Sequence, residues 1–190
     1  MSRKMKRILM LALIMVLLLS TILTSQSKNI PDGFIGLKWG YSLNKMREEM
    51  VLSSVDIDKK NPDKVTAIID QDRFNPFPDL NITGIALGFY KDKLYSGTIV
   101  ISKYEDWNFL IKTIKDKYGD PSTEEMKNVY GNSIGIVMTW SFGIGGGVIT
   151  AGFNQAKEEG YISYYFPPKE LRDQLSSQEE KERSKVRDKF

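Results

Sequence analysis

SFGIGGGVIT (residues 141–150) carries Gly143, Gly145, Gly146 and Gly147 between Phe142 and the β-branched Val148 and Ile149, and the reading of this stretch decides the fold. A dinucleotide-binding loop needs Gly-x-Gly-x-x-Gly opening a helix, because the helix N-terminus holds the pyrophosphate. Gly143 and Gly145 supply the first pair, but Val148 stands at the third position, and the Gly-Lys-Ser/Thr of a Walker loop is absent. Val148, Ile149 and Thr150 are strand formers. The stretch therefore reads as a hairpin tip, where glycine supplies the positive φ that tight turns require. A flexible loop that contacts a partner is the other reading these residues allow.

Outward from the tip, the flanking segments alternate. In SIGIVMTWSF (133–142), Ile134, Ile136, Met138 and Trp140 share one face, and VITAGF (148–153) and YISYYF (161–166) follow at hairpin spacing. Upstream, ITGIALGFY (82–90) sets bulky Ile85, Leu87 and Phe89 against small Gly84, Ala86 and Gly88, and Lys91, Asp92 and Lys93 turn the chain into LYSGTIVIS (94–102). VTAII (65–69) reads as a weaker strand and FIGLKW (34–39) as the first. The connections are too short for helical crossovers, so the sheet is expected to be antiparallel.

Two helices complete the layout. In YEDWNFLIKTIKDKY (104–118) Trp107, Leu110, Ile111, Ile114 and Tyr118 form one stripe, Glu105 and Asp106 complement the first turn, and Gly119 and Pro121 stop the helix. Ser42 caps SLNKMREEMV, in which Leu43, Met46 and Met50 share a face. The fold class is α+β: an antiparallel sheet with two helices packed on one face. The order of elements hints at a duplicated layout, 34–51 with its hairpin strands and 104–166, without a residue-level repeat.

The chain ends divide off. Met1 to Arg7 carries Arg3, Lys4, Lys6 and Arg7 with no acid, and an apolar stretch, Ile8 to Leu23, follows: the pattern of a signal peptide over residues 1–27, with Ser25 and Ser27 at the small-residue positions of the cut. An uncleaved anchor helix is the alternative. Residues 28–168 form a single domain, and 169–190 a charged helical or disordered tail; a partner-binding helix is the sharper reading of that tail. The expected location is exported, whether periplasmic, extracellular or at the cell surface.

Composition narrows the chemistry. The chain of 190 residues has no histidine and no cysteine, which removes imidazole and thiolate metal sites, disulfides, a lipidated cysteine, and Ser-His-Asp or Cys-His nucleophiles. Its 27 basic and 24 acidic residues give a net charge of +3, but four of the basic residues lie in the leader, so the remainder carries −1. A partner collected by a global positive field, nucleic acid or anionic lipid, is not expected. Stable membrane insertion is not expected once the leader is cut.

GLKWGYSLNKM, FYKDKLYSGTIVI, the helix end KDKYGDP and the strands MTWSF, VITAGF and YISYYF together resemble a pattern of small exported bacterial α+β domains of uncharacterised function. The layout is similar to β-lactamase-inhibitor-protein-like and outer-membrane assembly lipoprotein-like folds. The resemblance implies a fold and a compartment. It carries over no active site, and the lipidated cysteine of the assembly lipoproteins is missing.

Candidate site residues are few. Tyr161 and Tyr165 share one face of the last strand with Ser163, a face left open if helices cover only the other, and tyrosine suits protein or glycan contact. Phe74 and Phe77 lie in the loop DRFNPFPD beside Asp70, Asp72 and Asp79, where a sugar could sit between rings while two acids do acid/base work. The same acids match a calcium loop at two ligand positions only. No residue is assigned a catalytic, metal or cofactor role. The leading expectation is an exported non-enzymatic domain that binds a protein or envelope component through the uncovered sheet face; a carboxylate-dependent polysaccharide hydrolase and an inhibitor of a secreted enzyme are the alternatives.

Overall fold

β10 (Glu159–Tyr165), the last strand among the described residues, is a central strand of the sheet. The computed structural model describes residues 30–49, 52–127, 133–143 and 146–187; the leader reading, Met50 and Gly145 lie outside these. β3 (Leu52–Ile57), β4 (Lys64–Ile69), β5 (Ile82–Tyr90) and β6 (Lys93–Ile101) form one antiparallel meander. β7 (Ser122–Lys127), β8 (Ser133–Ser141), β9 (Val148–Asn154) and β10 form a second. Antiparallel pairing of β6 with β10 joins them into one sheet of eight strands, ordered β3-β4-β5-β6-β10-β9-β8-β7.

A helix precedes each meander: α1 (Leu43–Glu49) the first and α2 (Tyr104–Tyr118) the second. The hinted duplication thus has a structural counterpart, and it reaches individual residues. Ile85, Gly88 and Phe89 of β5 and Ile149, Gly152 and Phe153 of β9 hold equivalent places in their meanders. In both, a tyrosine of the following strand lies over the glycine, Tyr95 over Gly88 and Tyr161 over Gly152.

Period-2 pleating sorts the side chains. Ile99 and Ile101, Ile149 and Phe153, Trp140 and Ile162 point to one face and form the core with Leu43 and Met46 of α1 and Trp107, Ile111, Ile114 and Tyr118 of α2. α2 lies across β6, β10 and β9. Its seat is Gly160: a methyl group there would stand 2.5 Å from Trp107 and 2.8 Å from Phe153. The far end of α2 is fixed by Trp140, whose Nε1–H donates to the Gly119 carbonyl at 2.7 Å. The near end is fixed by Asp106, which accepts from the backbone N–H and the side chain of Asn81 at 2.8 and 2.7 Å; these bonds hold its carboxyl below the ordinary carboxylate range.

Most boundaries follow the sequence reading. α2 spans the expected residues with Leu110 half-buried on the stripe, and Ser42 Oγ accepts the Lys45 N–H at 3.3 Å as an N-cap. Asp92 reinforces that cap from the β5–β6 turn by accepting the Asn44 N–H at 3.0 Å. The glycine-rich stretch leads from β8 into β9, with Ser141 opposite Val148 and positive φ at Gly143 and Gly147. A strand, not a helix, follows the glycines.

Three expectations change. Phe34–Trp39 is not one strand: β1 (Gly33–Phe34) and β2 (Leu37–Lys38) pair with each other across Ile35 and Gly36, both at positive φ. β3 and β7 are additional strands, both sheet edges: β7 is polar at every position but Met126, which blunts an edge against pairing, while β3 (LSSVDI) packs Leu52 and Val55 against the core across a register shift between Leu52 and Ser54 that breaks its alternation. The two helices of the expected fold class become three among the described residues, because the tail takes the helical one of its two readings over α3 (Lys169–Arg187), with Leu171 buried.

Gly160→Ala is expected to destabilise the protein by about 1–3 kcal/mol, the usual result of forcing a methyl group into a packed core. Urea denaturation should show a lower midpoint at an unchanged slope.

Candidate functional site

The second face of the sheet is built from the other half of each strand. Pair by pair, Thr98 of β6 stands opposite Ser163 of β10, Ser163 opposite Thr150 of β9, Thr150 opposite Thr139 of β8, and Thr139 opposite Ser122 of β7. Five adjacent strands therefore carry a hydroxyl in one row, and at the spacing of paired strands the row is about 19 Å long. The Thr98 and Ser163 hydroxyls bond each other at 2.9 Å, and Ser122 Oγ donates to the Thr139 carbonyl at 3.1 Å. The first four are half-buried and Ser122 is exposed.

Tyrosines border this row on both sides. Tyr161 lies two residues before Ser163 with its ring over Gly152, and a methyl group on Gly152 would meet that ring at 2.6 Å. Tyr165 lies two residues after Ser163 and meets Tyr95 edge-on at 5.6 Å. Tyr95 reaches this face because β6 shifts register between Ser96, opposite Gly88, and Leu94, opposite Phe89. Burial raises the phenol pKa of Tyr95 and Tyr165. Tyr90 and Leu171 are buried without joining the main core cluster, so the end of the sheet near Tyr90 is the more covered one.

Of the four residues singled out in the sequence, the structure brings Tyr161 and Tyr165 together and sets Phe74 and Phe77 apart from them. Both phenylalanines are half-buried against the core cluster, and Phe77 borders a cavity on the α2 side of the sheet. Asp70 is spent locally, its Oδ1 accepting the Asp72 N–H at 3.2 Å, while Asp72 and Asp79 are exposed. None of the three acids lines that cavity. Among the described residues no group of three acids is placed to hold a metal ion, and no helix is long and apolar enough to cross a membrane.

The cavity has a volume of about 370 Å³ and lies between the β1–β2 hairpin, α2 and the floor made by β6 and β10. Tyr164, which faces opposite to Tyr165, lines it together with Tyr118, and burial pushes the Tyr164 phenol far above its ordinary value. The sequence reading missed the cavity, because the hairpin that forms one wall was read as a straight strand. The hydroxyl row was equally hidden, since it exists only in the register between strands, with β7 to β10 pairing in sequence order and β6 joining them from far along the chain.

No family model, no curated protein and no solved structure matches this chain.

Tyr95, Tyr164 and Tyr165 have folded-state pKa values above the unfolded value of about 10, so above that pH the folded chain binds more protons than the unfolded one. Stability is thus expected to be complete below pH ~10 and to fall as pH rises beyond it. Urea midpoints measured across this range should fall less steeply in Tyr164→Phe, and phenolate absorbance should show these tyrosines ionising only above pH ~10.

Proposed function

We propose that the protein is an exported, non-enzymatic binding domain that contacts a protein or envelope component through the sheet face opposite α2. The observation that carries this reading is the row Thr98, Ser163, Thr150, Thr139 and Ser122 with Tyr161 and Tyr165 on its two sides. Hydroxyls at strand spacing give and accept hydrogen bonds along a line, and tyrosine rings add rigid apolar area at low entropic cost. The row runs for about 19 Å at strand spacing, which suits an extended partner, a polysaccharide strand or a protein face. Export rests on the basic and apolar pattern of Met1–Leu23.

The hydrolase alternative needs two carboxyls facing one substrate position. Asp70, bonded within its own loop, and the exposed Asp72 and Asp79 give it no support.

The test is retention of the purified protein on envelope material, with insoluble cell-wall polysaccharide and envelope protein assayed separately. Tyr161→Ala combined with Tyr165→Ala is expected to reduce retention by at least about tenfold, roughly what losing one to two hot-spot tyrosines costs, while Phe109→Ala on the exposed side of α2 leaves it unchanged. Turnover of the polysaccharide, abolished by Asp72→Asn, would falsify the reading in favour of a hydrolase.

A further inference from the structure

The cavity beneath α2 is on the opposite side of the sheet from the proposed binding face, and three features separate it from an ordinary packing defect. Its interior is apolar: Phe34 and Leu37 of the hairpin, Ile99 and Ile162 of the sheet, and Leu110 and Ile114 of α2 face it. At about 370 Å³ it lies toward the small end of the ~300–1,000 Å³ range of small-molecule sites, room for one chain and not for a two-chain lipid with its headgroup.

The mouth is polar and carries a positive surplus. Lys38 of β2 and Lys117 of α2 stand there with a single acid, Asp32. Both lysines are exposed, and neither has an ion-pair partner among the described residues. The Lys117 ammonium lies 5.1 Å from the centre of the Tyr118 ring, held at the rim rather than reaching away. The hydroxyls of Tyr118 and Tyr164 on the cavity wall have no hydrogen-bond partner among the described residues.

The third feature is backbone strain. The two-residue turn of the hairpin holds Ile35 at φ 46° and Gly36 at φ 84°. Such turns favour Asn-Gly, and a β-branched residue at positive φ is an outlier that costs of order 1–3 kcal/mol. Asparagine would relieve the strain. Isoleucine instead adds apolar wall to the cavity, which Ile35 lines.

We propose that this cavity binds a single-chain anionic amphiphile, a free long-chain carboxylate, with its tail between the hairpin and α2 and its carboxylate at Lys38 and Lys117. The apolar lining excludes a polar metabolite, the rim cations select the charge of the head, and the volume limits the ligand to one chain.

The experiment is calorimetric titration of the purified full-length chain with dodecanoate, its methyl ester and dodecyltrimethylammonium, alongside co-sedimentation with phospholipid vesicles. Dodecanoate is expected to bind saturably at one site, with the ester weaker by about tenfold and the cation weaker still, as loss of a charge-assisted contact predicts. Lys38→Gln with Lys117→Gln should bring dodecanoate down to the ester's affinity while leaving the ester unchanged. Ile35→Asn should weaken both dodecanoate and the ester, with a urea midpoint equal to or above that of the parent, so that lost binding cannot be ascribed to lost folding. Equal binding of the cation, indifference of dodecanoate to the lysine substitutions, or lysine-dependent vesicle binding without saturable dodecanoate binding overturns the proposal. Because Tyr161 and Tyr165 lie on the other face, their double substitution should leave dodecanoate binding intact, which keeps this outcome separate from that of the surface reading.

Discussion

The contact of Trp107 with Gly160 is the constraint on which the rest of the molecule depends. A side chain at position 160 would lift α2 away from the sheet, and with it the stack in which Trp107 meets Phe153 at 5.5 Å and Tyr104 at 5.7 Å. Gly160 sits at the start of β10, the strand that joins the two meanders, so the helix bears on the point where they meet. Close packing makes such a contact all-or-none: the interior has no slack to absorb a displaced indole. The seating of α2 also fixes the height of the space beside it. The cavity exists because the β1–β2 hairpin, and not a longer element, occupies the flank that α2 leaves open.

From that seat the two faces of β10 acquire different chemistry. Gly160, Ile162 and Tyr164 look toward α2, while Tyr161, Ser163 and Tyr165 look away. The same division runs through β9, with Ile149, Ala151 and Phe153 inside and Thr150 and Gly152 outside. One face closes on apolar side chains. The other carries the line of hydroxyls. Two surfaces of opposite character thus share a single strand.

Much of this was legible in the sequence, for physical reasons that also explain the failures. α2 could be read to the residue because its stripe, its acidic first turn and its stop at Gly119 and Pro121 are all local. The β5–β6 hairpin and the glycine-rich β8–β9 turn were readable because alternation and turn chemistry lie within a few residues. β7 was not, since its polar residues leave no apolar face to betray a period, and neither was β3, whose Leu52 and Val55 fall three apart because the register shifts between Leu52 and Ser54. The β1–β2 hairpin escaped because isoleucine stands where its turn asks for asparagine. Of the site, the outward Tyr161 and Tyr165 were legible from strand parity alone. Their separation from Phe74 and Phe77, the hydroxyl row and the cavity all depend on which strands lie side by side.

The β6–β10 pairing has a consequence for how the chain reaches this structure. Within each meander every strand pairs with its neighbour in sequence, so both halves are rich in short-range contacts that form early and quickly. Thr98 and Ser163, by contrast, are 65 residues apart and meet only when the halves come together. Until then β6 and β10 are open edges with full hydrogen-bonding capacity, each shaped to accept the other. The same complementarity admits the β10 of a second molecule in place of the chain's own, so the step that completes the sheet is also the step at which two chains can exchange halves.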